Sequence, residues 1–215
     1  MTRLMRVALC CAVLGPLAGC LSFIPSMPVP RDFLLEYPPP VISGECLPVS
    51  LRVAPVRAAA IYDREPIAYS SGPYRIGYYY YHRWVTAPSQ MLTDLLARDF
   101  MASGLYRSVQ VGPSVLAADY QLDVRIDRLE ERIQDEQCTA VIVLRATLQN
   151  LLGRSAEPVV LQRRYEESEP VPCKRPAELP AALSRALQRI AAALQLDVYQ
   201  ALQREGRSTV ASLSD

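Results

Sequence analysis

Apolar and polar residues alternate in several stretches of the chain, and this period of two predicts β-strands. Residues 47–53 form the first such stretch, and residues 67–85 form a longer extended region rich in aromatic side chains. Three further stretches follow at residues 119–127, 138–152 and 159–166. Because short polar or glycine-containing segments separate them, we expect these three strands to form an antiparallel meander with one face in water.

Two other stretches repeat their apolar residues every three to four positions, which predicts helices. The first begins at Pro88 and ends near Gly104, since these residue types favour helix starts and stops respectively. The second runs from about residue 177 to residue 204, and we expect Gly206 to end it. The order of elements predicts an α+β fold, with a single antiparallel sheet and two main helices packed on one face.

The first twenty residues have the arrangement of a secretory signal. Arg3 and Arg6 precede an apolar run over residues 7–14, and the segment ends in Leu17-Ala18-Gly19-Cys20. These last four residues resemble the bacterial lipobox. The resemblance implies cleavage before Cys20, a diacylglycerol thioether on its sulfur and an acylated amine carrying a chain such as palmitate. The alternative is an ordinary signal peptide with an incidental cysteine.

A proline-rich segment follows the predicted lipidation site. Six prolines lie within residues 21–40, a density that blocks helices and central strands. We therefore predict a signal peptide at residues 1–19, a lipidated tether at 20–45, a folded domain at 46–206 and a flexible tail at 207–215. Residues 33–37 should add one short edge strand to the tether.

The residue after the lipobox cysteine bears on the choice of membrane. Position 21 is leucine. In the lipoproteins that this N-terminus resembles, aspartate at that position favours retention in the inner membrane. Leu21 therefore indicates the outer membrane of a Gram-negative envelope, with the protein on its periplasmic side.

The charge of the chain excludes one class of partner. Its 215 residues suffice for one ordinary domain, and the formal net charge is +1. Without residues 1–19 the chain has 21 basic and 22 acidic side chains, so the net charge is about −1. A nearly neutral chain binds nucleic acid poorly, because that affinity depends on many phosphate contacts.

The chain offers little for catalysis. Histidine and lysine each occur once, as His82 and Lys174. A site of several histidines within one chain is therefore excluded, and a Schiff base would depend on Lys174 alone. No G-x-S-x-G motif accompanies His82, and no Walker A loop occurs. The sequence predicts no enzyme activity, no metal and no other cofactor.

Three cysteines follow the lipobox, and one disulfide is expected in an oxidising compartment. They are Cys46, Cys138 and Cys173. A hairpin that turns at Gly153 places Cys138 opposite about residues 168–169, so that Cys173 lies a few residues beyond. A Cys138–Cys173 bridge is therefore geometrically feasible. A Cys46–Cys138 bridge and no bridge remain open alternatives.

The extended aromatic region and its surroundings resemble a known family. The matching elements are Phe33-Leu34-Leu35, Leu51-Arg52-Val53-Ala54-Pro55-Val56, Ile67-Ala68-Tyr69, Arg83-Trp84, Pro88, and Leu92 with Leu95-Leu96. In this order they resemble the ABC-type transport auxiliary lipoproteins, the family of the third component of the paraquat-inducible intermembrane transport operon. The Arg-Trp-x-x-x-Pro element is the most specific part. The four contiguous tyrosines depart from the family pattern, which usually separates its aromatic residues by polar ones.

The resemblance implies a function. The chain would be a lipoprotein subunit of an ABC transport system of the mammalian-cell-entry (MCE) type, which moves phospholipid or other hydrophobic compounds between the inner and outer membranes. It would dock the MCE-domain protein of the permease–ATPase complex at the outer membrane, and a homo-oligomeric ring would match that symmetric partner. The alternative is an assembly lipoprotein of the lipopolysaccharide-insertion type, which chaperones or plugs a β-barrel.

The aromatic run supplies the candidate partner-binding residues, since tyrosine, tryptophan and arginine are common interface anchors. The candidates are Tyr78, Tyr79, Tyr80, Tyr81, Arg83 and Trp84. Because strand side chains alternate between faces, we expect one pair in the core, either Tyr79 with Tyr81 or Tyr78 with Tyr80. Trp84 is more simply explained as a core residue.

Two acidic stretches have simpler explanations than a binding site. Asp119, Asp123 and Asp127 share one strand face, but the interleaved Arg125 predicts a solvated, ion-paired surface there. Residues 130–136 are predicted to be a solvated hairpin end.

Overall fold

A computed structural model describes residues 29–113, 116–153 and 158–213, with side chains described as far as residue 207. The predicted signal peptide, Cys20 and the first part of the tether lie outside the described residues. The described chain forms nine strands and two α-helices. The strands are β1 (Arg31–Phe33), β2 (Leu47–Val53), β3 (Arg57–Ala58), β4 (Pro66–Ser70), β5 (Ile76–Trp84), β6 (Tyr106–Val111), β7 (Tyr120–Gln134), β8 (Gln137–Asn150) and β9 (Val159–Val171). The helices are α1 (Pro88–Ala102) and α2 (Leu179–Leu213), and a 3-10 turn at Pro176–Glu178 precedes α2.

The long strands β7 and β8 form the centre of the sheet. β8 pairs antiparallel with β7 on one side and with β9 on the other, as the predicted meander requires. Three short strands share the other side of β7, in the order β2, β3, β4 along its length. β6 extends the sheet beyond β2, whereas β5 and then β1 extend it beyond β4. The sheet thus divides into two branches, and the β1–β5 pair forms the outer edge of one.

The sheet is mixed, so the prediction of a purely antiparallel sheet is wrong. Five pairs are parallel: β1–β5, β2–β6, β2–β7, β3–β7 and β4–β7. Parallel neighbours need a long crossover, and the chain between β2 and β6 supplies one that includes α1. Alternation of apolar residues identifies strands, but it contains no information on their direction.

Both helices and the sheet enclose one hydrophobic core, and the α+β class is confirmed. The fully buried side chains of this core include Leu92 and Leu96 of α1, Leu187 and Leu194 of α2, and Leu122, Ile126, Ile142, Leu144 and Leu148 of the sheet. The apolar stripes predicted for the two helices are therefore the surfaces that they bury. None of the described helices is long and apolar enough to span a bilayer.

The N-terminal strand is shorter than predicted, because the chain leaves the sheet edge after Phe33. Residues 34–37 pack against both helices instead. The backbone N–H of Glu36 donates to Ser184 Oγ of α2 at 3.1 Å, and the Tyr37 hydroxyl donates to Asp99 Oδ2 of α1 at 2.6 Å. Both Leu35 and Tyr37 are buried.

Two other elements are longer than predicted. β7 continues to Gln134, and its hairpin turn consists of Asp135 and Glu136, which have φ values of 49° and 62°. Such positive φ values at both positions are typical of a two-residue type I′ hairpin turn. α2 passes through Gly206 and ends at Leu213, since Gly206 does not take the left-handed conformation that would end it.

A disulfide joins Cys138 at the start of β8 to Cys173 just after β9. The two Cα atoms are 5.2 Å apart, and the residues are separated by 35 positions. The bridge fastens one end of the meander to the segment that leads into α2. Cys46 is free and exposed.

Candidate functional site

The tyrosine run lies at an irregularity in the pairing of β4 with β5. Ala68 pairs with Tyr78 and Pro66 pairs with Arg83, so that one residue of β4 faces four residues of β5. The three additional residues interrupt the strict alternation of side chains. A contiguous run of tyrosines therefore does not divide into two faces as a regular strand would.

The four tyrosines have four different environments. The hydroxyl of Tyr78 donates to the Ile61 carbonyl oxygen at 3.0 Å, and Arg64 lies over its ring. Tyr79 is half-buried and donates to Glu131 Oε2. Tyr80 is 82% exposed, whereas Tyr81 is half-buried with its ring 5.5 Å from that of Tyr80. Neither predicted pair enters the core together, so that prediction is wrong.

The last two candidates of the run already have partners within the domain. Trp84 is 2% exposed and belongs to the hydrophobic core, so it does not present a docking surface in this structure. Its backbone N–H donates to the Glu65 carbonyl oxygen at 2.6 Å. The Arg83 guanidinium forms ion pairs with Asp32 at 3.0 Å and Glu65 at 3.8 Å. Of the six candidates, Tyr80 and Tyr81 remain most available to a second molecule.

A buried carboxylate explains why Tyr79 turns inward. Glu131 of β7 is 1% exposed and accepts the hydrogen bond from Tyr79. Burial raises the pKa of Glu131, although the hydrogen bond from Tyr79 acts in the opposite direction. The Tyr69 ring packs against the Tyr79 ring at 4.8 Å and covers Gly77, where an added Cβ atom would overlap the Tyr69 ring. Any larger residue at position 77 would therefore displace the Tyr69 ring.

The neighbouring carboxylate, Glu130, is also buried. It alternates with Leu129, a core residue, and therefore points to the sheet face away from the helices. Tyr62 donates to Glu130 at 2.8 Å and Ser70 donates at 3.0 Å, while Arg128 lies 3.6 Å away. Burial, followed by the bond to Glu130, raises the pKa of Tyr62 to about 12. The prediction of a solvated hairpin end is wrong at Glu130 and Glu131, because β7 continues past them and long-range tyrosines cover them.

An open cleft of about 910 Å³ lies beneath the β4–β5 hairpin and beside Glu130. Three arginines, a tyrosine and two glutamates line it, namely Arg75, Arg128, Arg132, Tyr74, Glu130 and Glu166. Arg128 pairs with Glu130, and Glu166 pairs with Arg164. Arg75 and Arg132 form no ion pair with any residue that the structure describes. The cleft therefore presents two cationic groups to a second molecule, and Tyr74 is 97% exposed at its rim.

A second buried polar cluster attaches the N-terminal segment to α1. Asp99 is fully buried and accepts hydrogen bonds from Tyr37 and Arg98. Arg98 also bonds Glu36 at 2.6 Å and the carbonyl oxygen of Tyr37 at 2.8 Å. Burial raises the pKa of Asp99. Neither this cluster nor the two buried glutamates gave a signal in the sequence, because their partners lie some 50 to 70 positions away.

The aspartates of the opposite part of β7 form the ion-paired surface that was predicted. Asp127 contacts Arg125 at 3.2 Å and Arg145 at 2.8 Å, and Asp123 contacts Arg57 at 4.0 Å. Throughout residues 29–113, 116–153 and 158–213, no group of three or more metal-ligating side chains is close enough to hold an ion. The polar features of the described domain are thus buried clusters, surface ion pairs and one cationic cleft.

Comparison with known proteins gives the family of this α+β domain. The model of the ABC-type transport auxiliary lipoprotein component matches residues 34–195, well over half of the chain. The chain therefore belongs to the ABC-type transport auxiliary lipoproteins, and the resemblance seen in the sequence is confirmed. A search of curated proteins finds no match.

Solved structures share the fold. A crystal structure of a Xanthomonas campestris protein assigned to family DUF330 has a TM-score of 0.72 and 23% identity, covering 82% of this chain and 99% of that one. An uncharacterised protein has a TM-score of 0.60 and 15% identity, covering 79% of this chain and 99% of its own. A hypothetical protein from Chlamydia trachomatis has a TM-score of 0.50 and 8% identity, with coverage of 73% and 99%. At these identities the likeness concerns the fold alone.

Proposed function

We propose that this protein is the lipoprotein subunit of an MCE-type ABC transport system that moves phospholipid or other hydrophobic compounds between the inner and outer membranes. It is anchored through lipidated Cys20 to the outer membrane, faces the periplasm and docks the periplasmic component of the transporter. The match of residues 34–195 to the auxiliary lipoprotein family is the observation that carries the proposal. The role is one of binding and positioning, without catalysis.

The cationic cleft is the docking surface that the contacts favour. Arg75 and Arg132 line it without a carboxylate partner among the described residues, so acidic side chains of a partner could form charge-assisted hydrogen bonds with them. Tyr74 adds a large, exposed aromatic group at the rim, which is typical of an interface anchor. The partner would therefore present an acidic surface to the β4–β5 hairpin.

Charge reversal tests this docking surface. Arg132→Glu should reduce the amount of transporter component recovered with the tagged lipoprotein by tenfold or more, because it places a like charge against the acidic partner. Arg207→Glu, on the helix that covers the other sheet face, is the matched control and should leave recovery unchanged. Equal recovery with both variants would contradict docking at the cleft.

The proposed anchor is tested by cell fractionation. Cys20→Ala should remove the protein from the outer-membrane fraction, because without this cysteine the segment is neither lipidated nor cleaved as a lipobox. The strain should then show the envelope permeability of a deletion strain. Cys46→Ala removes an exposed free thiol instead and should leave both localisation and permeability as in the wild type. A Cys20→Ala protein that stayed in the outer-membrane fraction would exclude lipidation of Cys20 as the anchor.

A further inference from the structure

The outer edge of one sheet branch exposes apolar side chains. This surface, the β1–β5 edge, consists of Val29, Tyr80, Tyr81 and Val85. All except Tyr81 are more than half exposed, and the Tyr81 ring packs edge to face on that of Tyr80. An exposed row of this kind marks a surface that meets another molecule or a membrane.

The chain enters the domain at this same edge. β1 runs parallel to β5, with Arg31 beside His82, so the residues before Arg31 run back towards Tyr81 and Tyr80. Val29 and Pro30 accordingly line a shallow pocket together with Tyr81 and His82. The described chain therefore begins next to the two accessible tyrosines.

The sequence limits how far this edge can lie from the lipid anchor. Eight residues, 21–28, separate Cys20 from Val29. Fully extended, they reach at most about 30 Å. If residues 21–28 follow a less extended path, the β1–β5 edge lies closer still to the bilayer that holds the acyl chains of Cys20.

We propose that the β1–β5 edge rests on the surface of the bilayer that holds Cys20, with Tyr80 and Tyr81 in the headgroup region. This rests on the lipid anchor of the proposed function. Tyrosine suits this position because its ring is apolar and its hydroxyl reaches water. Arg31 has no ion-pair partner among the described residues and is free to contact lipid phosphates, as arginine commonly does.

The same observations favour a membrane over a protein strand as the occupant. β1 has three residues, and so short an edge strand is a poor template for the addition of a partner strand. Arg83 is already paired with Asp32 and Glu65, so its charge is not available to a protein partner. Contact between apolar side chains and a bilayer does not depend on paired charges.

Depth-dependent quenching tests the proposal. The lipidated full-length protein is reconstituted in vesicles of phosphatidylethanolamine and phosphatidylglycerol with brominated acyl chains. Tyr80→Trp adds a fluorophore at the edge, and the native Trp84 gives the baseline. Leu116→Trp is the control, since Leu116 is exposed beside the start of β7, roughly 30 Å along that strand from the level of β5.

The proposal predicts at least twofold greater quenching of the added fluorescence in Tyr80→Trp than in Leu116→Trp. Equal quenching, or no quenching of either variant while both float with the vesicles, would overturn the membrane contact and leave the edge to a protein partner. The anchor would remain intact in that case. Failure to float would instead overturn the lipid anchor and the membrane contact together.

Discussion

Tyr79 and Tyr80 are neighbours in sequence, yet they differ completely in what they contact. Tyr79 donates to a buried carboxylate, whereas Tyr80 is 82% exposed. Tyr79→Phe should lower the free energy of unfolding by ~1–3 kcal/mol, because it leaves Glu131 buried without its partner. Tyr80→Phe should change it by less than about 0.5 kcal/mol. Urea unfolding of the two variants measures the difference, and similar values for both would contradict the inward position of Tyr79.

Glu131 also gives the protein a defined pH dependence. Its pKa is raised above the ordinary 4.5 in the folded state, so the unfolded state loses this proton first. Between the two pKa values the folded state binds more protons, and stability therefore falls as pH rises from about 4.5 through the folded-state pKa. The side chain at position 131 of Glu131→Gln cannot ionise. This variant should therefore lack the loss of stability with rising pH that Glu131 causes.

The measurement is the free energy of unfolding at several pH values between 4 and 7, for the wild type and Glu131→Gln. Asp99, whose pKa is also raised, contributes equally to both proteins, so the difference between their free energies of unfolding reports Glu131 alone. This difference should change steadily with pH. Parallel curves would show that Glu131 titrates alike in the folded and unfolded states.

At the scale of residues, the sequence could predict those side-chain environments that depend on the local pattern of apolar and polar positions. Trp84 was a core candidate because alternate side chains of the aromatic strand should fill the core between sheet and helices, and the structure buries it. Glu130 and Glu131 looked solvated because their hydrogen-bond donors, Tyr62, Ser70 and Tyr79, come from distant segments. Charge and neighbouring residues carry no information about such partners.

The disulfide is the covalent link between the meander and α2. It closes a loop of 35 positions, for which loop-closure entropy corresponds to ~3–4 kcal/mol of stability. Cys173→Ala should therefore lower the free energy of unfolding by about this amount under non-reducing conditions. Cys46→Ala, which removes the free exposed cysteine, should have little effect. If a reductant left the wild-type unfolding curve unchanged, the bridge would not be a stabilising link.

Two glycines were predicted to end the two helices, and only Gly104 does so. Gly104 has a φ of 64° after α1, whereas Gly206 lies inside α2. Gly206→Ala should raise the stability of the helix end by up to ~1 kcal/mol, and Gly104→Ala should lower stability by a similar amount. Thermal unfolding followed by circular dichroism measures both. A loss of stability in Gly206→Ala would favour the helix end at Gly206 that the sequence predicts.

Element types were predictable from the sequence, whereas their arrangement was not. The three-residue irregularity in β5 shows the reason, since it depends on how Ala68 and Pro66 find their partners in β5. Parallel pairing of β2 with β6 likewise depends on the crossover through α1 rather than on the residues of either strand. Strand direction and register are set by tertiary packing.

At the scale of the whole molecule, the family could be predicted because its motif residues are spread over both branches of the sheet and α1. Pro55, the Arg83-Trp84 pair and Pro88 lie close to element ends, where residue type is constrained by backbone geometry. The cationic cleft was not predictable, since Arg75 and Arg132 come together only through the pairing of β4 with β7. The lipid anchor remains a prediction from the first twenty residues.

The most direct test of the account is to identify what the protein binds in its own envelope. The tagged full-length lipoprotein would be crosslinked in cells, purified from detergent-solubilised membranes and analysed by mass spectrometry, with Arg132→Glu as a comparison. The account predicts recovery of an MCE-domain protein together with an ABC permease and ATPase, reduced by at least tenfold in the variant. Recovery of an outer-membrane β-barrel protein without any transporter component would contradict it.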